Sequence, residues 1–224
     1  DEPLVVPSLE LIDARIDGSH REWRQWSDCL SYDGPYPQLV VRSALALKLL
    51  LSSPTGAIMA AATTSLPERI GGTKNYDYRF AWVRDAGYII GAFLTMGAQP
   101  EAKAALTWLL HRLGEHGVRV FYTLLGEVGE GARAVPLPGY KFSPPVVGND
   151  ATGQIQHGIY GDIFETVRGF ISCGNVLDAR SAKILCGVAD QCADTWRQPD
   201  SGLWELPEIR HYTTSKISCW QALH

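Results

Sequence analysis

The chain has 224 residues, 46% of them hydrophobic, and a formal net charge of −4 at pH 7. This length and balance are typical of one globular domain with a sizeable core. The negative charge gives no electrostatic attraction to nucleic acid or to an anionic membrane, and no apolar run is long enough to span a bilayer. We therefore expect neither nucleic acid nor a membrane among its partners.

The two ends of the chain differ in character from its middle. Segment 1–38 is polar, with scattered Pro and Gly, and is predicted to be a linker or lead-in with one short helix near residues 20–30. The chain starts without an initiator Met or a signal segment, and it ends in a helix-like run that no Gly, Asn or Pro stops. We expect a fragment of a longer protein. Five Cys without Cys-x-x-Cys spacing favour free thiols and a cytoplasmic location.

Helical patterns dominate the second predicted unit, residues 39–224. The predicted helices cover residues 40–51, 81–96, 100–113, 152–171 and 178–196, and a last one begins near residue 214. Strand-like alternation is scarce, and long loops rich in Gly, Pro and aromatic residues fill 52–80, 117–150 and 197–213. Long loops of this kind are often functional. The pattern predicts an all-α fold, an α/α toroid with its long loops gathered at one mouth.

The run from Asn75 to Asp85 mixes aromatic residues with two Arg and two Asp. Flat aromatic rings pack on the apolar face of a pyranose, and Arg and Asp make charge-assisted hydrogen bonds to its hydroxyl groups. The run is therefore a candidate sugar pocket. The alternative is a loop with aromatic plugs and surface ion pairs, and composition alone does not decide between the two.

A second candidate is the Trp204-Glu205 pair, which follows a turn at residues 199–202. A carboxyl group that packs against a large apolar indole is favoured in its protonated form, as a general acid requires. The alternative is a solvent-facing Glu near a helix start, and an isolated Trp-Glu pair favours that alternative.

Other site types find no support in the sequence. The six His have no metal-ligand spacing, and no Gly-x-Ser-x-Gly nucleophile turn occurs. The Gly-rich run 126–131 lacks the Lys-Ser/Thr of a phosphate loop and carries two acids. We expect no metal and no cofactor.

Several motifs occur in one order between about Arg42 and Leu223. They are residues 42–50, Pro54–Ile58, Thr64–Glu68, Gly71-Gly72, Asn75–Asp85, Gly148-Asn149, Gln154-x-Gln156, Trp204-Glu205 and His211–Thr213. Together they resemble glycoside hydrolase family 15, the glucoamylase and trehalase family of six-hairpin glycosidases.

The resemblance implies an (α/α)6 barrel, of which this chain holds the N-terminal part, and inverting hydrolysis of a terminal α-glucosidic bond in an α-glucan or trehalose. It makes Glu205 the general acid. The family's general base lies downstream of residue 224, so the chain alone is expected to be inactive. The substrate-binding residues implied are Tyr78, Trp82, Arg84, Asp85, Tyr122 and Trp204.

Two departures from the usual family pattern leave glucoamylase and trehalase specificity open. His157-Gly158 replaces an apolar residue followed by Asp, and Leu206-Pro207-Glu208 replaces Ile-Arg-Gly. A non-catalytic carbohydrate-binding or scaffold protein on the same fold is the competing hypothesis, which the Trp204-Glu205 pair disfavours. Terpene cyclases and sugar epimerases share such toroids, but their Asp-rich, Gln-Trp or paired His motifs are absent.

Overall fold

The structure, a computed structural model, describes residues 6–224, and residues 1–5 of the predicted lead-in lie outside the described part. Seven α-helices account for most of the regular structure within it. They are α1 Leu9–Asp28, α2 Pro37–Leu49, α3 Val83–Thr95, α4 Gln99–His116, α5 Gly158–Ser172, α6 Ala179–Thr195 and α7 Thr213–Leu223. The prediction of an all-α fold is confirmed.

Helix starts follow signals that are visible in the sequence. Ser8 and Asp178 precede α1 and α6, and each side chain accepts a hydrogen bond from a main-chain N–H in the first turn. α3 begins two residues later than predicted, because Ala81 and Trp82 form a strand. α1 is much longer than the short helix predicted near residues 20–30.

Six short strands lie in and beside the loops that were predicted to lack structure. They are β1 Thr64–Pro67, β2 Asn75–Asp77, β3 Ala81–Trp82, β4 Phe121–Tyr122, β5 Arg133–Ala134 and β6 Val146–Val147. They form three antiparallel pairs, β1 with β2, β3 with β4 and β5 with β6. These pairings satisfy main-chain hydrogen-bonding groups that would otherwise lack partners where the loops are covered.

The helices after residue 80 form two layers. α3, α5 and α7 pack side by side in one layer, while α4 and α6 contact each other in the second layer. α5 and α7 approach closely at Gly161, where an added Cβ would lie 2.8 Å from the main-chain oxygen of Ser218. The core between the layers contains Phe93, Leu109 and Ile163, each at most 1% exposed. Successive helices from α3 to α7 thus alternate between the two layers, as in one arc of the expected helical toroid.

A polar cluster formed by Trp26, Lys48 and Glu101 connects α1 to α2 and α4. The Trp26 indole donates a hydrogen bond to Glu101 Oε1 on α4 (2.8 Å), and Lys48 on α2 pairs with the same oxygen. The Lys48 ammonium also lies 4.6 Å from the centre of the Trp26 ring. The lead-in segment therefore contains a docked helix, while the domain boundary at residue 38 stays a prediction.

Within residues 6–224, no helix combines the length and the apolar character needed to cross a bilayer.

Candidate active site

Trp82 stands where β3 ends and α3 begins. β3 pairs with β4, so that Trp82 lies opposite Phe121, and the two rings pack with centroids 4.6 Å apart. The Trp82 side chain is buried, and the residue caps the N-terminus of α3. Because Trp82 is fixed in this way, Arg84 and Asp85 occupy defined positions in the first turn of α3.

Glu205 lies in the loop between α6 and α7, with its backbone in the left-handed region at φ +55°. A non-glycine residue there stores roughly 1–3 kcal/mol, and it persists only where its surroundings determine it. The turn before it needs glycine: Gly202 has φ +66°, and an added Cβ would lie 2.7 Å from the Tyr212 ring. A carboxylate residue whose backbone is strained, in a loop that its contacts hold in place, is typical of a functional site.

Residues 200–210, which we call the acid loop, are closed at their base. Asp200 and Arg210 exchange two main-chain hydrogen bonds of 2.9 and 3.0 Å. The buried Asp200 Oδ2 accepts from the main-chain N–H of His157 (2.8 Å) and from Ser215 Oγ (2.7 Å). The base of the acid loop is thereby joined to the start of α5 and to the first turn of α7.

The Glu205 carboxylate is held through one oxygen. Oε1 accepts a hydrogen bond from Trp82 Nε1 at 3.0 Å and lies 3.4 Å from Arg84 Nη2. Among the residues that the structure describes, Oε2 makes no hydrogen bond. The side chain is 28% exposed, so this second oxygen remains open to a ligand.

Two glutamines complete a hydrogen-bond circuit around Glu205. Arg84 Nη1 donates to Gln156 Oε1 (3.3 Å), and Gln156 Nε2 donates to Gln154 Oε1 (3.0 Å). Gln154 Nε2 in turn donates to the main-chain oxygen of Glu205 (3.1 Å). Both ends of Glu205 are fixed relative to Arg84. Sequence reasoning assigned no role to either glutamine, although the Gln154-x-Gln156 motif was the available signal.

A cavity of about 260 Å³ opens beside Arg84. Gln156, Leu203 and Ser215 line it together with Asp162 from α5. Burial raises the pKa of Asp162 to about 6, although Arg84 opposes this rise. Burial also raises the pKa of Asp85, against the pull of Arg84, whose Nε lies 3.8 Å from Asp85 Oδ2. The cavity therefore brings together one strong cation, Arg84, and one partly buried carboxyl group, Asp162, while Asp85 and Glu205 contact Arg84 from outside its lining.

Comparison with known families assigns the chain to one of them. The sequence profile described as Glycosyl hydrolases family 15 matches residues 34–224. The chain belongs to glycosyl hydrolase family 15.

Curated relatives with detectable similarity include three trehalases. Those of Thermoplasma volcanium and Thermoplasma acidophilum are 36% identical to this chain over 211 residues, which is 93% of the chain and 34% and 36% of the relatives. The trehalase of Mycobacterium tuberculosis is 37% identical over 210 residues, which is 90% of the chain and 31% of the relative. The chain thus spans about a third of the length of these relatives. No solved structure matches it significantly.

The structure brings most of the predicted family 15 site residues together. Trp82 and Arg84 contact Glu205, Asp85 pairs with Arg84, and the Tyr78 ring lies 6.4 Å from that of Trp82. Burial raises the pKa of Tyr78, and nearby negative charges including Glu205 add to the rise.

Trp204 adjoins Glu205 in sequence but does not shield it. Its side chain is 79% exposed, so its indole is not packed over the carboxyl group. The indole that contacts the carboxyl group is instead that of Trp82, which lies 123 residues before Glu205 in the sequence, so no local pattern reveals the contact. Trp204 lies at the outer edge of the site.

Tyr122 is not part of this surface, which corrects its expected role as an aromatic wall of the pocket. The residue is completely buried, its hydroxyl donates to the main-chain oxygen of Gly117, and its ring packs edge-on to Trp108 at 6.1 Å. The packing of α4 covers the ring. Tyr122 supports the β3–β4 pair behind Trp82.

Half of the candidate sugar-binding run has a structural role. Buried Asp77 accepts two side-chain hydrogen bonds from Arg79, each 2.9 Å long. Burial alone would raise the pKa of Asp77, but Arg79 and the Gly148 N–H hold it below its usual value. Asn75 donates to the main-chain oxygen of Pro144 at 2.8 Å. Of the two Arg-Asp pairs in the run, Arg79 with Asp77 ties loops together, and Arg84 of the other pair lines the cavity.

Within residues 6–224, no three His, Cys, Asp or Glu side chains lie close enough together to bind a metal ion.

Proposed function

We propose that the protein to which this chain belongs is an inverting α-glucoside hydrolase, with Glu205 as its general acid. One observation carries the proposal: a carboxylate on a left-handed backbone, held by Trp82 and Arg84 beside a cavity. The three relatives are named trehalases, which supports trehalose as the substrate.

The two oxygens of Glu205 divide the work of a general acid. Oε1 is occupied by the donors of Trp82 and Arg84, so the proton resides on Oε2. Oε2 gives this proton to the glycosidic oxygen as the bond from that oxygen to the anomeric carbon breaks. The bond's electron pair goes to the departing oxygen, and water attacks the opposite face of the sugar ring.

The terminal glucose is proposed to occupy the cavity beside Arg84. Arg84 and Asp85 supply charge-assisted hydrogen bonds to its hydroxyl groups, and the exposed Tyr78 ring offers a face for its C–H side. Buried Trp82 acts behind this surface by holding Glu205. Trp204, exposed at the outer edge, is placed to contact the departing sugar.

The general base is proposed to lie in the part of the protein that this chain does not contain. An inverting mechanism needs a second carboxylate about 6.5–9.5 Å from the acid, with room for a water molecule between the sugar and the base. One carboxyl group cannot serve both faces of the ring.

The test is Glu205→Gln in an active protein that contains this chain. We expect kcat on trehalose to fall about 100- to 10,000-fold, the usual contribution of general acid catalysis. Hydrolysis of α-glucosyl fluoride should fall far less, because fluoride leaves without protonation. Glu208→Gln, in the same loop but exposed and paired with Arg210, is the control and should leave both activities unchanged. Equal losses on both substrates would refute the assignment.

A further inference from the structure

Asp200 lies five residues before Glu205 and is completely buried. We propose that Asp200 is a positioning residue for the general acid, acting through the base of the acid loop. It does not line the cavity beside Arg84, and its side chain has no contact with the Glu205 carboxylate. The inference rests on the proposed role of Glu205.

Three parts of the fold meet at Asp200. Its Oδ2 accepts one hydrogen bond from the start of α5, through the main-chain N–H of His157, and one from the first turn of α7, through Ser215 Oγ. Its main chain pairs with Arg210 across the acid loop. The next residue, Ser201, donates its N–H to the main-chain oxygen of Ile155 at 2.8 Å. Asp200 therefore sets where the loop leaves and rejoins the helical layers.

Glu205 is consequently held from two sides. On one side, Trp82 and Arg84 hold its carboxylate from α3. On the other side, the junction at Asp200 anchors its loop to α5 and α7. Because the backbone of Glu205 is strained, it needs both constraints: a loosened loop lets it relax towards ordinary φ values and swings the carboxyl group away.

The expected effect of losing Asp200 is a misplaced acid. A displacement of about 1 Å in a reacting group can lower the rate about 100-fold. Removing the carboxylate also leaves two donors without their acceptor in a buried place, which loosens the contact of the loop with both helices. Protonation of the departing oxygen should suffer, while glucose binding at Arg84 and Asp85 should change little.

The experiment compares Asp200→Ala with Asp200→Asn in an active protein that contains this chain. For Asp200→Ala we expect kcat on trehalose to fall about 100-fold, with a much smaller change in KM and in α-glucosyl fluoride turnover. Asp200→Asn, which keeps the size of the side chain but replaces the charged acceptor by a weaker neutral one, should show a smaller loss with the same selectivity. It also decides the question if Asp200→Ala does not fold.

Asp178→Ala is the matched control. Asp178 also accepts a main-chain hydrogen bond at a helix start, from the Ser181 N–H at 2.6 Å, but it is exposed and lies at the start of α6, away from the acid loop. It should lower the melting temperature without separating the two substrates. If both substrates lose activity equally in the two Asp200 variants, or trehalose turnover is unchanged, the inference is wrong. If Glu205→Gln itself is unselective, the proposed function fails first.

Discussion

At the scale of single residues, Asp162 shows how burial changes the chemistry of the cavity. Its carboxyl group lines both the cavity beside Arg84 and a larger groove of about 600 Å³ along α3 and α5. Burial raises its pKa from 3.8 to about 6, with Arg84 opposing the rise and Asp85 adding to it. The folded protein therefore binds a proton that the unfolded chain releases between about pH 4 and pH 6, so this residue's contribution to stability is lost as pH rises through that window.

Asp162→Asn tests this linkage. The amide stays neutral, so the variant should gain stability relative to the parent as pH rises from 4 to 7, and show little difference at pH 4. Thermal unfolding at several pH values measures it. Asp190→Asn, at an exposed site on α6, is the control and should give a difference that does not depend on pH. A constant offset for Asp162→Asn would contradict the assignment.

The predicted site residues that lie together in the structure share one feature: their motifs fix their positions locally. Arg84 and Asp85 follow Trp82 directly at a helix start, so their grouping needs only the local chain. Tyr122 was misjudged because its burial depends on Trp108 in α4, and no local pattern encodes that contact. The contacts of Asp200 were not predictable for the same reason: its partners come from the starts of α5 and α7.

At the scale of elements, long helices were predictable and short strands were not. Helix periodicity and caps extend over many residues, whereas a two-residue strand such as β3 has no alternation to read. β3 exists because Phe121 and Tyr122, forty residues later, pair with it. The length of α1 was underestimated because its sequence is polar, although Ser8 is a recognisable N-cap residue at its start.

The contacts of Glu101 are expected to hold α1 against α2 and α4. Glu101→Gln keeps the size of the side chain but removes the charge that pairs with Lys48, in a place where Glu101 is only 9% exposed. Hydrogen bonds to charged groups contribute about 1.5–3 kcal/mol. We expect faster amide hydrogen exchange across α1, with α5 unchanged.

Hydrogen exchange measured by mass spectrometry resolves the two helices. Glu115→Gln, which breaks the more exposed pair with Arg112 on the same helix, is the comparison and should leave α1 unaffected. Uniform exchange changes across the whole chain would mean that Glu101 stabilises the fold generally and does not anchor α1.

At the scale of the whole molecule, the two layers explain why one acid loop can build a site. The loops before α3, α5 and α7 supply Trp82, Gln156 and the acid loop, and these helices lie side by side in one layer. The site is therefore assembled where neighbouring helices begin. Helix and loop lengths are enough to predict a toroid whose long loops lie together. They do not predict which side chains of those loops come into contact.

The proposed general acid lies within residues 1–224, whereas the proposed general base lies outside them. In the proposed mechanism this chain contributes the acid and the residues that bind the terminal glucose, and it spans about a third of the length of its trehalase relatives. We expect residues 1–224 alone to release no glucose from trehalose, maltose or maltotriose, whereas the protein extended to the length of those relatives should do so.

Circular dichroism should first establish that residues 1–224 are folded, so that inactivity is not caused by unfolding. The extended protein carrying Glu205→Gln is the control, because it keeps the base and lacks the acid. Comparable activity of the short and extended proteins would mean that the base lies within this chain. Glu68, Asp150 and Asp162 would then be the carboxylates to substitute, and Asp162 first, since it already lines the cavity beside Arg84.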